Sequence, residues 1–79
     1  MYSEKAQRLK NMLDVASNQG VLIFQGGEPA TPDDIARVQC VYENYNYIPE
    51  FVVKDPSGEI KEIWYAEVVL NTAGSKNRP

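Results

Sequence analysis

The chain has 79 residues, of which 43% are hydrophobic, and a formal net charge of -3. This length allows one folded domain and excludes a second. The chain contains no histidine and a single cysteine, Cys40. An internal disulfide, a histidine-dependent catalytic triad and a zinc site of cysteine and histidine ligands are therefore excluded.

The composition also predicts the compartment. A lone cysteine fits a reducing environment, and charged residues such as Lys5 and Arg8 stand where a secretory signal would have an apolar run. No stretch approaches the ~20 apolar residues of a membrane span. We therefore expect a cytoplasmic protein with no membrane association.

The first predicted element is an amphipathic helix. Ser3 can cap its start, Glu4 suits its first turn, and Gly20 suits the change of direction at its end. One side of this helix carries apolar residues at helical spacing, namely Ala6, Leu9, Met12, Leu13 and Ala16.

A short strand is predicted next, over residues 21–25. A continuous apolar run from Val21 to Phe24 is bounded by glycines, which is typical of a strand covered on both faces. Gly26 and Gly27 then permit a sharp reversal. Their spacing fits neither a dinucleotide-binding nor a phosphate-binding loop, and the acidic residue that follows would repel phosphate. We interpret them as a plain turn.

A second helix is predicted from position 32 to about position 43 or 44. Thr31 offers a hydroxyl cap, Pro32 suits the first helical position, and two aspartates face the positive end of the helix dipole. Towards its end the pattern is ambiguous, because Val38 and Cys40 also begin an alternation typical of a strand. We favour the helix and keep a strand over 38–44 as the alternative.

The most apolar region is a predicted β-hairpin with strands at 49–54 and 60–69. Asp55-Pro56-Ser57-Gly58 between them has the side chains of a type I turn that is followed by a glycine with positive φ. Both flanking runs are rich in the β-branched and aromatic residues that strands favour. The turn therefore predicts a three-residue hairpin loop.

The register of this hairpin is ambiguous. The even-numbered face of the second strand, which includes Trp64, is the more apolar and is the predicted core face. On the first strand Phe51 and Val53 suit the core, but a three-residue loop does not bring them onto the face of Trp64. Either a further bulge intervenes or both faces of the sheet are partly covered.

These elements predict a small α+β domain of order α-β-α-β-β over residues 1–70, followed by a disordered tail over 71–79. Strand 60–69 should lie in the middle of a three-stranded antiparallel sheet, with both helices packed on one face. Its neighbours should be strands 21–25 and 49–54, which with the second helix form a right-handed split βαβ unit. The predicted core comprises Leu9, Leu13, Leu22, Phe24, Ile35, Val38, Trp64, Ala66 and Val68.

The sequence shows no catalytic, cofactor-binding or metal-binding constellation, so we expect neither an enzyme nor a cofactor. Asp33 and Asp34 suit the helix start rather than catalysis. The most suggestive feature is a concentration of aromatic residues, which are enriched at protein interfaces. The predicted interaction surface consists of Tyr42, Tyr45, Tyr47, Ile63 and Tyr65. The favoured interpretation of the tyrosines themselves is that they close the core with their hydroxyls at its rim.

The sequence thus predicts a non-enzymatic interaction domain with an unidentified protein partner. A homodimer is expected as well, because the sheet face with Ile63 and Tyr65, or an apolar sheet edge, needs a cover. The alternative function is nucleic-acid binding. Nine acidic residues against three basic ones between positions 21 and 70 disfavour it. It would use the basic residues of the hairpin end and tail, Lys54, Lys61, Lys76 and Arg78.

Overall fold

The computed structural model describes residues 2–68 and shows two helices and a four-stranded mixed sheet. The predicted α+β class is confirmed. The predicted domain limit at residue 70 and the predicted disorder of residues 71–79 lie outside the described residues. In chain order the elements are α1 (Glu4–Asn18), β1 (Leu22–Gln25), β2 (Glu28–Pro29), α2 (Pro32–Val41), β3 (Phe51–Lys54) and β4 (Ile60–Tyr65).

Both helices begin at the predicted caps. The Ser3 hydroxyl accepts a hydrogen bond of 3.2 Å from the backbone N–H of Ala6 at the start of α1. At α2 the Thr31 hydroxyl accepts from the backbone N–H of Asp34 at 3.2 Å, and the Asp34 carboxylate accepts from the backbone N–H of Thr31 at 2.9 Å. This capping box pairs backbone donors that would have no partner within the helix.

The second helix is shorter than predicted. Helix is confirmed over 38–41, but its continuation to position 43 or 44 is wrong, because residues 42–44 form turns. The Gln39 side chain contributes to this early end. Its Nε2 donates to the backbone oxygens of Tyr42 and Tyr45, and so pairs carbonyl groups that lie beyond the helix.

The sheet has four strands in the order β2-β1-β4-β3 rather than the predicted three. The three predicted strands keep their predicted neighbours, with β4 between β1 and β3. The added strand β2 is joined to β1 by Gly26 and Gly27, whose φ angles of 60° and 84° suit glycine. The turn was predicted from the sequence but the strand was not, because two residues that end in a proline show no strand pattern.

The prediction that all neighbouring strands are antiparallel is wrong. β1 and β4 are parallel, from Leu22 opposite Glu62 to Gln25 opposite Tyr65, whereas β3 and β4 are antiparallel. The missed strand is the reason. Because β2 reverses the chain before α2, the crossover through α2 joins β2 to β3, and these two strands run in the same direction. The predicted split βαβ unit therefore begins at β2 and not at β1.

The turn of the β3–β4 hairpin is as predicted. Gly58 has a φ of 91°, and its N–H donates to the backbone oxygen of Asp55 at 2.9 Å. The Asp55 carboxylate accepts from the hydroxyl and the backbone N–H of Ser57 and from the backbone N–H of Glu59. These hydrogen bonds lower the pKa of Asp55, and the bond from the Ser57 hydroxyl has the largest effect.

A β-bulge sets the register of this hairpin. Lys54 lies opposite Ile60, whereas Val53 lies opposite Glu62. Lys61 is therefore an extra residue on β4, and the alternation of faces along β4 is interrupted there. Of the two alternatives that the sequence left open, the further bulge is the one found.

The core lies between the helices and one face of the sheet, which we call the inner face. Both helices contribute to it, so their predicted packing on one face is confirmed. Its central cluster consists of Leu13, Ile23, Ile35, Ile63 and Tyr65. Of the nine predicted core residues, three are buried (Leu13, Ile35 and Val38), five are partly buried (Leu9, Phe24, Trp64, Ala66 and Val68), and Leu22 is exposed.

The predicted core face of β4 is wrong. The odd-numbered Ile63 and Tyr65 are buried, whereas Trp64 is only partly buried. In β1, likewise, Ile23 is buried and Leu22 is exposed. The pattern was misleading because both faces of β4 carry apolar residues, and because the bulge breaks the alternation on which the prediction relied.

Alanine at two isoleucines of β4 tests the inner face. Ile63 is 9% exposed and Ile60 is 39% exposed. Ile63→Ala should lower the free energy of unfolding by about 2 to 5 kcal/mol, because it leaves a cavity in the core. Ile60→Ala should cost roughly half as much or less, since its side chain is largely in water. Urea unfolding followed by circular dichroism measures both, and equal losses would contradict the assignment.

The capping box generates a second prediction. Thr31→Ala should lower the free energy of unfolding by about 1 kcal/mol, because a backbone donor at the start of α2 loses its partner. Ser17→Ala is the control, since Ser17 is an exposed residue of α1. It should change the stability by less than about 0.5 kcal/mol. If urea unfolding gives the two variants the same stability, the box does not stabilise the fold.

Candidate interaction surface

The sheet face opposite the core, which we call the outer face, is formed by alternate residues of three strands. Its members follow from the register, because Ile23 and Ile63 are buried on the inner face and neighbouring residues of a strand point to opposite faces. Both helices pack on the inner face, so they leave the outer face uncovered. The outer face comprises Leu22, Phe24, Phe51, Val53, Glu62 and Trp64.

Three aromatic rings form a row across the outer face. Trp64 of the central strand β4 stacks with Phe24 of β1, with a centroid distance of 4.1 Å and an interplanar angle of 13°. On its other side, Phe51 of β3 stacks with Trp64 at 5.5 Å and 16°. The row exists because the parallel register places Phe24 opposite Trp64, and the bulge places Phe51 opposite the same residue. We call these three residues the aromatic row.

The aromatic row and its neighbours are accessible. Phe51 is 52% exposed and Leu22 is 55% exposed. Val53 is also exposed, and Phe24 and Trp64 are partly exposed. An exposed apolar patch of this kind is a candidate binding surface. Because the rings already hold one another, they lose little conformational freedom when a partner covers them.

A single charge lies on the outer face. Glu62 accepts a hydrogen bond from Nε1 of Trp64 at 2.8 Å, which orients the indole ring. A carboxylate has a second oxygen that can accept from a partner. The six residues of the outer face include no lysine or arginine. The surface is therefore apolar with one acidic group.

Two residues of the predicted interaction surface lie in the core instead. The prediction placed Ile63 and Tyr65 on the uncovered face, and this placement is wrong because the helices cover that side of β4. Tyr65 is 2% exposed, and its ring packs against that of Tyr47 at a centroid distance of 4.8 Å. Burial raises the pKa of Tyr65 to about 12. On β4 the aromatic residue of the uncovered face is Trp64, on the opposite side of the strand from Tyr65.

Tyr47 joins the loop after α2 to the sheet. Its hydroxyl donates to the backbone oxygen of Ala66 at 2.5 Å and accepts from Nε2 of Gln25 at 3.0 Å. Partial burial raises the pKa of Tyr47. For this residue the structure agrees with the favoured interpretation, in which a tyrosine closes the core with its hydroxyl at the rim.

Gln39 holds the same loop, and sequence analysis missed it. Its side chain is buried at 2% exposure. Nε2 donates to the backbone oxygens of Tyr42 and Tyr45 at 3.0 and 2.7 Å, and Oε1 accepts from the backbone N–H of Tyr47 at 2.8 Å. Its burial could have been predicted from its position four residues after Ile35, which places it on the apolar side of α2.

Tyr42 and Tyr45 lie at the end of α2 and not on the outer face. Their rings meet edge to face with a centroid distance of 6.1 Å. Nζ of Lys5 in α1 donates to the backbone oxygen of Glu43 at 2.9 Å, which ties this turn to the first helix. Tyr45 is exposed and Tyr42 is partly exposed. Their part in binding stays a prediction.

The basic residues considered for nucleic acid do not form a cluster among the described residues. Nζ of Lys61 lies 3.1 Å from the Glu59 carboxylate and 3.8 Å from that of Asp55, so its charge is compensated. Lys54 is exposed on β3. Lys76 and Arg78 lie outside the described residues.

The acidic residues at the start of α2 have structural partners. Asp33 accepts a hydrogen bond of 2.9 Å from the Tyr2 hydroxyl, and Asp34 caps the helix. Between residues 2 and 68, no group of three or more histidine, cysteine or acidic side chains is placed to hold a metal ion. In the same part of the chain, neither helix has the length and apolar character to cross a membrane.

Comparisons with known proteins add no relative. No family model matches the chain, and no curated protein or solved structure matches it at a significant level. A fold class alone carries many functions. The function is therefore inferred from the chemistry of the surface.

The buried phenol of Tyr65 predicts a loss of stability at high pH. Its pKa is about 12 in the folded chain against an ordinary value of 10.0. The folded state therefore favours the neutral phenol, and this contribution is complete below pH 10 and lost as the pH rises through 12. The free energy of unfolding should fall over this window, and it should fall less steeply in Tyr65→Phe.

Tyr45→Phe is the matched control, because Tyr45 is exposed. Its pH dependence should equal that of the wild type in urea unfolding at each pH. Tyrosinate absorbance should also show a group that titrates near pH 12 and that is absent only from Tyr65→Phe. Identical profiles for all three proteins would contradict the prediction.

Proposed function

We propose that this protein is a non-enzymatic interaction domain that binds a protein partner through the outer face. The aromatic row of Phe24, Trp64 and Phe51 is the observation that carries the proposal. Aromatic residues contribute a large share of the binding energy at protein interfaces. Three of them, stacked in register on a sheet, offer a rigid apolar surface that needs little ordering on binding.

The charge of the outer face indicates the chemistry of the partner. An apolar segment would cover the aromatic row, and an arginine or lysine beside it would pair with the Glu62 carboxylate. The net charge of -3 favours the same basic character through long-range attraction. We therefore propose a partner segment that combines apolar and basic side chains.

Nucleic-acid binding has less support. Exposed aromatic rings can stack on bases, but proteins that bind single strands combine such rings with a basic groove. The outer face has no basic residue, and Glu62 would repel phosphate. The charge of Lys61 at the hairpin end is compensated by two carboxylates.

We propose the cytoplasm as the compartment of this interaction. The support is compositional: the lone Cys40 suits a reducing environment. The proposed contact between an apolar, acidic surface and a basic protein segment also requires no membrane.

Affinity capture from the source cells tests the proposal with three baits: wild type, Leu22→Lys and Ile48→Lys. Leu22 lies on the outer face beside Phe24, and Ile48 is an exposed residue of the loop before β3. Both variants should fold, because each replaced side chain is more than half exposed. Proteins bound to the outer face should be recovered by the wild type and by Ile48→Lys.

Recovery should fall at least about tenfold with Leu22→Lys, because the lysine puts a charge into an apolar contact and repels a basic partner. A recovered protein is then purified and titrated against the domain, with the fluorescence of Trp64 as the signal. The proposal is wrong if no protein shows this dependence on Leu22. It is also wrong if only DNA or RNA does so in a mobility-shift assay.

A further inference from the structure

We propose that two copies of this chain pair through the exposed edge of β3, antiparallel and with Val52 at the twofold axis. β3 ends the strand order β2-β1-β4-β3, so among the described residues one side of its backbone has no neighbouring strand. All four of its residues are exposed, and Phe51, Val52 and Val53 are consecutive and apolar. An edge of this kind is a template for another strand.

The opposite edge of the sheet is unsuited to such pairing. β2 has two residues, and one of them, Pro29, has no N–H to donate. Proline and short length are features by which proteins protect a sheet edge. β3 has no proline and is twice as long as β2, and the extra residue of the hairpin bulge belongs to β4. Pairing is therefore directed to β3.

The residues around β3 favour a second copy as the occupant. When Val52 lies opposite Val52 of the second copy, Glu50 of each chain lies opposite Lys54 of the other. Both side chains are exposed, and neither takes part in an ion pair within residues 2–68. Opposite charges directly across an antiparallel pair are stabilising. The segment is thus complementary to itself in one register.

The same register keeps the two faces of the sheet continuous. Val52 belongs to the inner face because it lies opposite Ile63, and Phe51 belongs to the outer face with Trp64. With Val52 opposite itself, Phe51 lies opposite Val53 of the second copy, so outer-face residues meet outer-face residues. A shift of one residue would place inner-face residues against outer-face residues.

The inner side of this edge also offers apolar surface to a second copy. A cavity of about 550 Å³ lies between α1 and the β3–β4 hairpin, and its lining includes Met12, Val52 and Ile60. Met12 is more than half exposed. In the proposed dimer the two cavities adjoin at the twofold axis, so pairing covers apolar side chains as well as backbone groups. This edge is distinct from the Leu22 side of the outer face, so either proposal can fail without the other.

Light scattering coupled to size exclusion tests the dimer on the full chain, from micromolar concentration to about 1 mM. The wild-type mass should rise from 8.9 kDa toward twice that value. Glu50→Lys and Lys54→Glu should each weaken the dimer about tenfold, because each replaces two opposite-charge pairs by two like-charge pairs. The double variant should return to within about threefold of the wild type, since the pairs are restored with their signs exchanged.

Glu43→Lys is the control, because it makes the same charge change at an exposed position outside the hairpin. It should leave the dimer unchanged, and circular dichroism checks that every variant is folded. A monomer at all concentrations overturns the proposal, whether or not it captures an extended strand of another protein. A dimer that is equally stable in both single variants, or that is not restored in the double variant, overturns this register.

Discussion

The β-bulge at Lys61 is the constraint on which both faces of the sheet depend. Without the extra residue, the turn at Asp55 would shift the register of β3 against β4 by one residue. With it, Phe51 meets Trp64 and Val52 meets Ile63. Phe24, Phe51 and Trp64 then gather on the outer face, and Ile63 and Tyr65 lie on the inner face. The bulge thereby separates a face that packs against the helices from one that does not.

The inner face is closed by few large side chains, as expected for a chain of 79 residues. Where apolar residues are lacking, hydrogen bonds complete the closure. Gln39 pairs the backbone of the loop after α2, and Tyr47 links that loop to the sheet. Both helices pack on the inner face, so within residues 2–68 no helix covers the other side. An exposed aromatic row is thus a consequence of a two-layer architecture in a short chain.

The outer face and the β3 edge meet at Phe51 and Val53, but they offer different chemistry. The outer face presents side chains, and in the proposed function their rings and single carboxylate select a partner by shape and charge. The edge presents backbone groups, which would accept almost any strand if Glu50 and Lys54 did not favour one register. The edge is available because β3 lies at the end of the sheet and is paired on one side by β4, whereas the outer face is available because both described helices pack on the inner face.

Sequence alone determined the features that depend on residues a few positions apart. The caps at Ser3 and Thr31 and the turn at Asp55 follow from local hydrogen bonding, and the neighbours of β4 followed from its length and apolar character. Only the tertiary structure decided the direction of β1 against β4, because that depends on a two-residue strand too short to show a pattern. It also decided which aromatic residues are uncovered. Both faces of β4 are apolar, so alternation could not tell them apart, and the helices bury Tyr65 and leave Trp64 accessible. The sequence therefore predicted an aromatic surface but placed it on the wrong side of the sheet, since the choice of side comes from the packing of helices remote in the chain.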